Sequence, residues 1–402
     1  MIDSDKSKIN GVRESLVAQT MSMAAAMVAA PDVAKAAPKL PARTQSQADA
    51  PSPASPTRVP LSQPVRDLGF MKGFAWGFPG MRGDFENSEA VESLRLARAT
   101  GAEWVCICFS AMMETESTPD ILWGDKCSTM VTDGEIREAV DEAHKLGFKV
   151  LLKPIVDCRN GAWRGEIKFE TPEKWEEWFA NYKTFMLHYA AIAAETKCEL
   201  LTLGGEMVTA EKFGDHWRDL AAKARKVYAG VVTYNTNHDC LAAVTWWDAV
   251  DVISISAYYG VGKGPDATVE EMMESWKPVR EKMAAIAAQY QKPVFFIEIG
   301  MMSTRGNSKN PAKWTTDGQP YDGEEQARYY EAALRMFWEE PWFLGYFWWK
   351  WDAVLSRPET SSMNTERATV VGQKGFRING KPAEAVVREW YAKVRPLPES
   401  KE

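Results

Sequence analysis

Short apolar runs alternate with longer amphipathic segments from residue 66 almost to the C-terminus. The short runs have the length of buried strands, and the longer segments repeat apolar residues with helical spacing. Such alternation is typical of parallel strands joined by crossover helices. Eight apolar runs occur, so the pattern predicts an α/β protein with a closed (β/α)8 TIM barrel. The runs are GFMKGFAWGF, AEWVCICFS, FKVLLKPIVD, CELLTLGGE, GVVTYNTNH, DVISISAYY, PVFFIEIG and LGYFWWKWD, and helical spacing is clearest over 88–100, 133–146, 172–196 and 268–290.

A doubly wound open sheet is the alternative to a barrel for this order of elements. Open sheets of that kind commonly carry a GxGxxG motif after the first strand or a phosphate-binding P-loop. Neither motif follows the first apolar run. The barrel is therefore the favoured architecture.

The first 65 residues differ in composition from the rest of the chain. Lys6, Lys8 and Arg13 precede an apolar stretch rich in Ala and Met, and AKA at 34–36 resembles a cleavage site. The residues that follow are rich in Pro, Ala and Ser and cannot bury enough surface to fold. We expect a signal peptide or anchor over 1–37, a disordered linker over 38–65 and the barrel domain over 66–398. The leader favours a secreted, periplasmic or cell-surface location over the cytoplasm.

Composition and charge exclude several partners. The chain has 402 residues, 45% of them hydrophobic, with a formal net charge of −7 and a pI of about 5.5. A chain with a negative net charge lacks the broad positively charged surface that binds a phosphate backbone, so we expect no nucleic-acid partner. No run after the leader approaches the about 20 apolar residues of a transmembrane helix, so we expect no membrane span in the folded domain. We also expect a monomer.

The cysteine and histidine positions indicate neither a metal site nor a cofactor. Six cysteines are scattered without CxxC spacing, and His238 is the only one of four histidines at a predicted strand end. Cys106 and Cys108 would point to the same side of a strand, but two thiols make an incomplete metal site. We therefore expect a protein that needs no metal and no cofactor.

Two glutamates close apolar strands, where a buried carboxylate is unfavourable unless it is paired or used. Glu206 ends the fourth run and Glu298 lies near the end of the seventh. In a TIM barrel the C-terminal strand ends line the active face, so these two carboxyl groups should face each other across its mouth. Two carboxylates working on one bond is the arrangement that glycoside hydrolysis requires. With 17 Trp against 12 Tyr, the chain is also rich in the side chain suited to stack on sugar rings, although large core residues explain part of that count.

The expected substrate is a polysaccharide or oligosaccharide, held by other residues at the strand ends. A non-catalytic glycan-binding barrel is the alternative, but a pure binder gains nothing from two repelling carboxylates. Tyr258 or Tyr259 could hydrogen-bond Glu298 and orient it, and packing in the loop is an equal alternative for each. The candidate substrate-binding residues from these positions are Trp76, Asp157, Asn237, Tyr258, Tyr259, Trp348 and Trp349.

Several motifs in order along the chain resemble the clan A glycoside hydrolases, most closely family 113, whose members are chiefly β-1,4-mannanases. The motifs are LKPIVDCRNGAWRGEI at 152–167, GGEM at 204–207, DVISISAYYG, FFIEIG and the C-terminal GFRINGKPAEAVVREWY. The resemblance spans residues 70–395 and implies a retaining β-mannanase-like enzyme. It also implies that Glu206 is the acid/base, that Glu298 is the nucleophile, and that Trp163 and Arg164 belong to the sugar-binding wall. Trp163 and Trp348 are the stacking platforms that we expect.

Two positions depart from the clan A pattern. Clan members commonly carry Asn immediately before the acid/base, where it binds the sugar 2-hydroxyl, and this chain has Gly205. The sixth strand has Ser256 where an aspartate is expected. The departures put recognition of the 2-hydroxyl and the sugar preference in question.

Overall fold

A computed structural model describes residues 58–360 and 370–395 of the chain. Eight parallel strands pair in sequence order and close into a barrel, so the predicted (β/α)8 fold is confirmed. The expected leader and most of the expected linker lie outside the described residues. The strands are β1 (Met71–Trp76), β2 (Trp104–Met113), β3 (Lys149–Cys158), β4 (Leu200–Gly205), β5 (Val231–Asn237), β6 (Val252–Ser256), β7 (Val294–Ile299) and β8 (Phe343–Trp351).

Helices follow most of the strands and cover the outside of the barrel. Between β5 and β6 the described chain has only a short 3-10 turn, Trp247–Ala249, in place of an α-helix. No helix in the described part of the chain is long and apolar enough to cross a lipid bilayer. The α-helices are α1 (Gln63–Leu68), α2 (Ser88–Ala99), α3 (Asp133–Lys145), α4 (Pro172–Glu195), α5 (Gly214–Val227), α6 (Val269–Tyr290), α7 (Gly323–Phe337) and α8 (Pro382–Tyr391).

The strands separate two apolar layers, because successive side chains of a strand point to opposite faces. On β8, Phe347 and Trp349 point into the barrel, while Tyr346 and Trp348 point outward to the helices. Trp348 stacks on Tyr330 of α7 with a ring-centroid distance of 3.9 Å. The inner layer ends at the C-terminal mouth, where polar side chains replace the apolar ones.

The short helix α1 packs on the barrel. Val65 and Leu68 are buried and belong to the inner apolar layer. Lys149, at the start of β3, donates a hydrogen bond to the Leu68 carbonyl at 3.0 Å. The N-terminal strand ends meet at this end of a parallel barrel, so α1 closes the end opposite the mouth. It begins at Gln63, within the segment expected to be linker.

Candidate active site

A cleft of about 1140 Å³ opens at the C-terminal ends of the strands. Glu206 and Glu298 both line it, as the strand order requires for residues at the ends of β4 and β7. The other lining residues come mainly from the loops after β1, β2, β3, β5 and β7. They include Phe78, Met81, Met112, Glu114, Asp157, Arg159, Trp163, Arg164, Asn237, His238, Tyr258, Trp314 and Trp349.

Glu298 is the deeper of the two glutamates, and each of its oxygens accepts from a buried donor. Its side chain is only 5% exposed. The Tyr258 hydroxyl donates to Oε2 at 2.8 Å, and the Lys153 ammonium donates to Oε1. Two donors of this kind compensate the free energy of burying a carboxylate. They also fix the orientation of the carboxyl group.

Two opposing effects act on the pKa of Glu298. Burial raises the pKa of Glu298, and the positive charge of Lys153 opposes that rise. Burial alone would lower the pKa of Lys153, but the negative charge of Glu298 contributes to a net increase. The ammonium therefore stays protonated beside the carboxylate. Burial, followed by the charge of Glu298, raises the pKa of Tyr258 well above its usual range, so the phenol remains a donor.

Glu206 directly follows β4 on a turn in the left-handed backbone region, with a φ of 55°. Its amide donates to the Asn235 carbonyl of β5 at 2.8 Å, which ties the turn to the neighbouring strand. Arg164 Nη1 donates to Glu206 Oε2 at 2.9 Å, and Asn237 Nδ2 donates to Oε1 at 3.0 Å. The carboxyl group is thus held from both sides at the edge of the cleft.

Arg164 links Glu206 to a third acidic residue, Asp157. Nη2 of Arg164 lies 2.9 Å from Asp157 Oδ1, and the Ser110 hydroxyl donates to Oδ2 at 3.0 Å. Burial raises the pKa of Asp157, and Arg164 opposes the rise. Burial disfavours the charge on Arg164, but the carboxylates of Asp157 and Glu206 contribute to a net increase in its pKa. A permanent positive charge therefore lies beside Glu206.

Aromatic side chains form the apolar part of the cleft wall. Trp163 is 41% exposed, and its indole covers Gly165, where an added Cβ would come within 2.4 Å of the ring. Trp349 lies deeper, with its ring centroid 4.7 Å from that of Phe78 and 6.0 Å from that of Trp314. The exposed indole of Trp163, beside the carboxylates of the cleft, suits the alternating apolar and polar faces of a sugar.

Three of the residues predicted from strand position do not line this cleft. Trp76 and Trp348 are fully buried on the outer faces of β1 and β8, where Trp76 Nε1 donates to the Ser93 hydroxyl at 3.0 Å. The predicted role of Trp348 as a stacking platform is therefore wrong, because its neighbour Trp349 takes the inward position. Tyr259 donates to the His238 carbonyl at 2.8 Å and packs beside the cleft, whereas Tyr258 contacts Glu298.

Lys153 and Trp314 are site residues that the sequence analysis missed. Lys153 is a charged residue in the apolar run of β3, the same anomaly that identified Glu298, and this signal could have revealed it. Trp314 lies in the loop between β7 and α7, far from any strand end. A loop residue without a motif has no signal in a single sequence.

The two departures from the clan A pattern lie against Asn235. An ideal Cβ on Gly205 would lie 3.3 Å from Asn235 Oδ1 and 3.8 Å from Lys153 Cε. Asn235 Nδ2 donates to the Ser256 hydroxyl at 3.0 Å, and both side chains are fully buried. A side chain at position 205 would therefore contact Asn235 and the side chain of Lys153, whose ammonium binds Glu298.

His238 is the histidine that lines the cleft. Burial lowers its pKa, so the ring is neutral at pH 7. Across residues 58–360 and 370–395, no group of three or more His, Cys, Asp or Glu is arranged to hold a metal ion. The ionisable groups in and around the cleft include carboxyl, ammonium, guanidinium, phenol and imidazole groups.

Comparisons with known proteins agree with this geometry. The profile of Glycoside Hydrolase Family 113 matches residues 74–372. A family 113 β-mannanase from Alicyclobacillus acidocaldarius is 39% identical over 81% of this chain and 98% of its own, with a TM-score of 0.71. A second solved β-1,4-mannanase of that family is 36% identical over 80% of this chain and 99% of its own, with a TM-score of 0.69. A β-glucuronidase from Faecalibacterium prausnitzii, 15% identical over 82% of this chain and 50% of its own, shares the fold with a TM-score of 0.56. A search of curated proteins found no match.

Proposed function

Because the chain belongs to glycoside hydrolase family 113, we propose that it cleaves β-1,4-linked mannan or mannooligosaccharides by a retaining double displacement. The family makes the protein a glycoside hydrolase that acts on a carbohydrate. The finer assignment rests chiefly on one observation. Two buried glutamates, on the ends of β4 and β7, line one cleft and have different sets of partners.

Glu298 is the proposed nucleophile. The ammonium of Lys153 and the phenol of Tyr258 both donate to its oxygens, and both donors favour the ionised form. An ionised carboxylate held in one orientation is ready to attack the anomeric carbon. As the ester bond to the anomeric carbon forms and the glycosidic bond breaks, the negative charge on Glu298 disappears.

Glu206 is the proposed acid/base. It must give a proton to the departing oxygen and later take one from water, so its carboxyl group has to reach the cleft edge. Arg164 and Asn237 hold its two oxygens there. Burial raises the pKa of Glu298, and the negative charge of Glu206 adds to that rise.

The substrate proposal follows the two β-mannanases that resemble this chain over most of their length. The purified enzyme should be incubated with mannan, glucomannan, xylan and cellulose, and the products should be sized. Preferential release of mannooligosaccharides supports the assignment. Faster cleavage of xylan or cellulose contradicts it.

The mechanism is tested by variants of the two glutamates on an aryl β-mannoside with a good leaving group. Glu298→Ala should abolish turnover, because no glycosyl-enzyme forms. Glu206→Ala should form the intermediate and then stall, and added azide, which needs no base, should release a β-mannosyl azide. An α-mannosyl azide would contradict retention. Glu281→Ala, an exposed glutamate on α6, is the matched control and should behave like the wild type.

A further inference from the structure

A buried carboxyl group that the proposed reaction does not use holds the turn that carries Glu206. We propose that Glu211 is a positioning residue, which acts through Tyr234 and the Met207 amide to keep the Glu206 carboxyl aimed into the cleft. The inference rests on the proposed role of Glu206 as acid/base. It concerns how that role is maintained.

The backbone at Glu206 needs such support. A φ of 55° lies in the left-handed region, which residues with a Cβ adopt rarely and keep only when the surroundings hold them there. The Glu206 amide is held by the Asn235 carbonyl at 2.8 Å. The next amide, of Met207, donates to the Tyr234 hydroxyl at 3.1 Å. A change at either amide would therefore redirect the side chain of Glu206.

The Tyr234 hydroxyl is itself fixed by Glu211. It donates to Glu211 Oε1 at 3.0 Å, so its one proton points to the carboxyl group and a lone pair faces Met207. Burial raises the pKa of Tyr234 well above its usual range, and the phenol therefore keeps this proton. Without the acceptor Oε1 of Glu211, the Tyr234 hydroxyl would be free to rotate away from the Met207 amide.

Glu211 is anchored at both its backbone and its side chain. Its amide donates to the Met207 carbonyl at 3.0 Å, and Trp246 Nε1 donates to its carbonyl at 2.9 Å. The Thr236 hydroxyl is a second donor to Oε1, also at 3.0 Å. The side chain is buried, so these contacts are shielded from water. Residues 206–211 thus form a closed loop of hydrogen bonds with the acid/base at one end and Glu211 at the other.

The network does not depend on the ionisation of Glu211. Burial, with a smaller effect of the charge on Glu206, raises the pKa of Glu211 to about 7. Oε2 has no hydrogen-bond partner among the described residues, so a proton can sit on Oε2 while Oε1 still accepts from Tyr234 and Thr236. Glutamine offers the same acceptor and should replace Glu211, whereas leucine offers none.

The test compares kcat/KM for mannotetraose and for a dinitrophenyl β-mannoside, whose leaving groups differ in their need for protonation. A dinitrophenyl group departs without protonation, whereas a mannosyl group needs the general acid. A misplaced acid should therefore slow only the second substrate. For Tyr234→Phe and Glu211→Leu we expect about tenfold loss on mannotetraose and less than about twofold loss on the dinitrophenyl mannoside, a modest part of the ~10²–10⁴-fold that a general acid supplies.

Two further variants serve as controls. Glu211→Gln keeps the acceptor and should restore the wild-type ratio of the two rates. Thr236→Val removes a hydrogen bond to the same Oε1 without breaking the link to Met207, so its ratio should also match the wild type. Equal losses on both substrates in Tyr234→Phe, or a changed ratio in Thr236→Val, would overturn the proposal. If the wild type cleaves neither mannoside, it is the proposed function that fails, since the ratio is defined only for an active enzyme.

Discussion

At the residue scale, the ion pair of Lys153 and Glu298 is buried within the mouth of the barrel. Lys153→Met would leave the carboxylate buried without its counter-ion, which typically costs about 3–5 kcal/mol of stability. The double variant Lys153→Met/Glu298→Gln carries no unpaired charge and should recover most of that loss. Denaturant unfolding of both variants measures the difference. Lys226→Met, at an exposed position on α5, is the control and should leave stability nearly unchanged.

The same substitution should change the pH dependence of catalysis. Burial raises the pKa of Glu298, and Lys153 opposes the rise, so removing Lys153 should raise this pKa further. The nucleophile must be ionised, and the acid limb of the kcat/KM profile of Lys153→Met should therefore move to higher pH. An unchanged or lower acid limb would show that Lys153 does not control the charge of Glu298.

Trp163 and Trp348 should respond in opposite ways to substitution by alanine. Trp163 is 41% exposed at the cleft, so Trp163→Ala should weaken mannooligosaccharide binding by roughly 1–3 kcal/mol, by analogy with base stacking on aromatic residues. Trp348 is fully buried against Tyr330, so Trp348→Ala should destabilise the fold by about 3–5 kcal/mol. Calorimetric titration and thermal unfolding separate the two effects. Stable folding of Trp348→Ala with weakened binding would contradict the assignment.

Glu211 should make stability fall as the pH rises. Its pKa is about 7 in the folded protein against an ordinary value of 4.5, so between these two values the folded state holds a proton that the unfolded chain has released. Stability should therefore decrease by about 3 kcal/mol across this window relative to Glu211→Gln, which does not titrate. Unfolding curves of both proteins from pH 4 to pH 8 give the difference. Parallel pH profiles would mean that Glu211 has no raised pKa.

At the element scale, the loop between β1 and α2 contributes Phe78 and Met81 to the cleft and is held by Asp84. Asp84 is buried, accepts from Arg357 at 2.6 and 2.9 Å, and also accepts from the Met81 amide at 3.1 Å. Asp84→Ala should release this loop, raise KM for mannotetraose more than it lowers kcat, and reduce stability by about 1–3 kcal/mol.

The matched control for this loop is Asp219→Ala. Asp219 lies on α5, outside the cleft, and pairs with Lys223 of the same helix at 2.8 Å and with Lys183 of α4. Asp219→Ala should lose these two partly exposed ion pairs, each typically worth no more than about 1 kcal/mol, and keep the wild-type KM. A KM that rises equally in both variants would show that the effect is general loosening of the barrel.

At the scale of the whole molecule, the N-terminal boundary of the barrel can be located by truncation. Residues 1–57 are rich in Pro, Ala and Ser, and we expect their removal to leave melting temperature and activity unchanged. Removal of 1–65 also deletes buried Val65 and half of α1, which closes the barrel end. The melting temperature of that shorter protein should fall. Equal melting temperatures for the two truncations would show that α1 is dispensable.

The sequence by itself determined the barrel and the placement of two glutamates at strand ends. Eight apolar runs separated by amphipathic segments leave little choice of architecture, because each strand must be buried on both faces and each helix on one. Glu206 and Glu298 stood out because carboxylates at the close of such runs are unfavourable without partners. Their roles in catalysis stay predictions.

Only the tertiary structure decided which neighbour faces the cleft and which groups pair there. Trp348 and Trp349 are equivalent in sequence, and the closure and register of the barrel turn one outward and the other inward. Lys153 lies 145 positions from Glu298, and no local pattern relates them. Trp314 reaches the cleft from a loop whose path depends on packing. Such contacts join segments far apart in the chain, and their free energy exists only once the fold has brought those segments together.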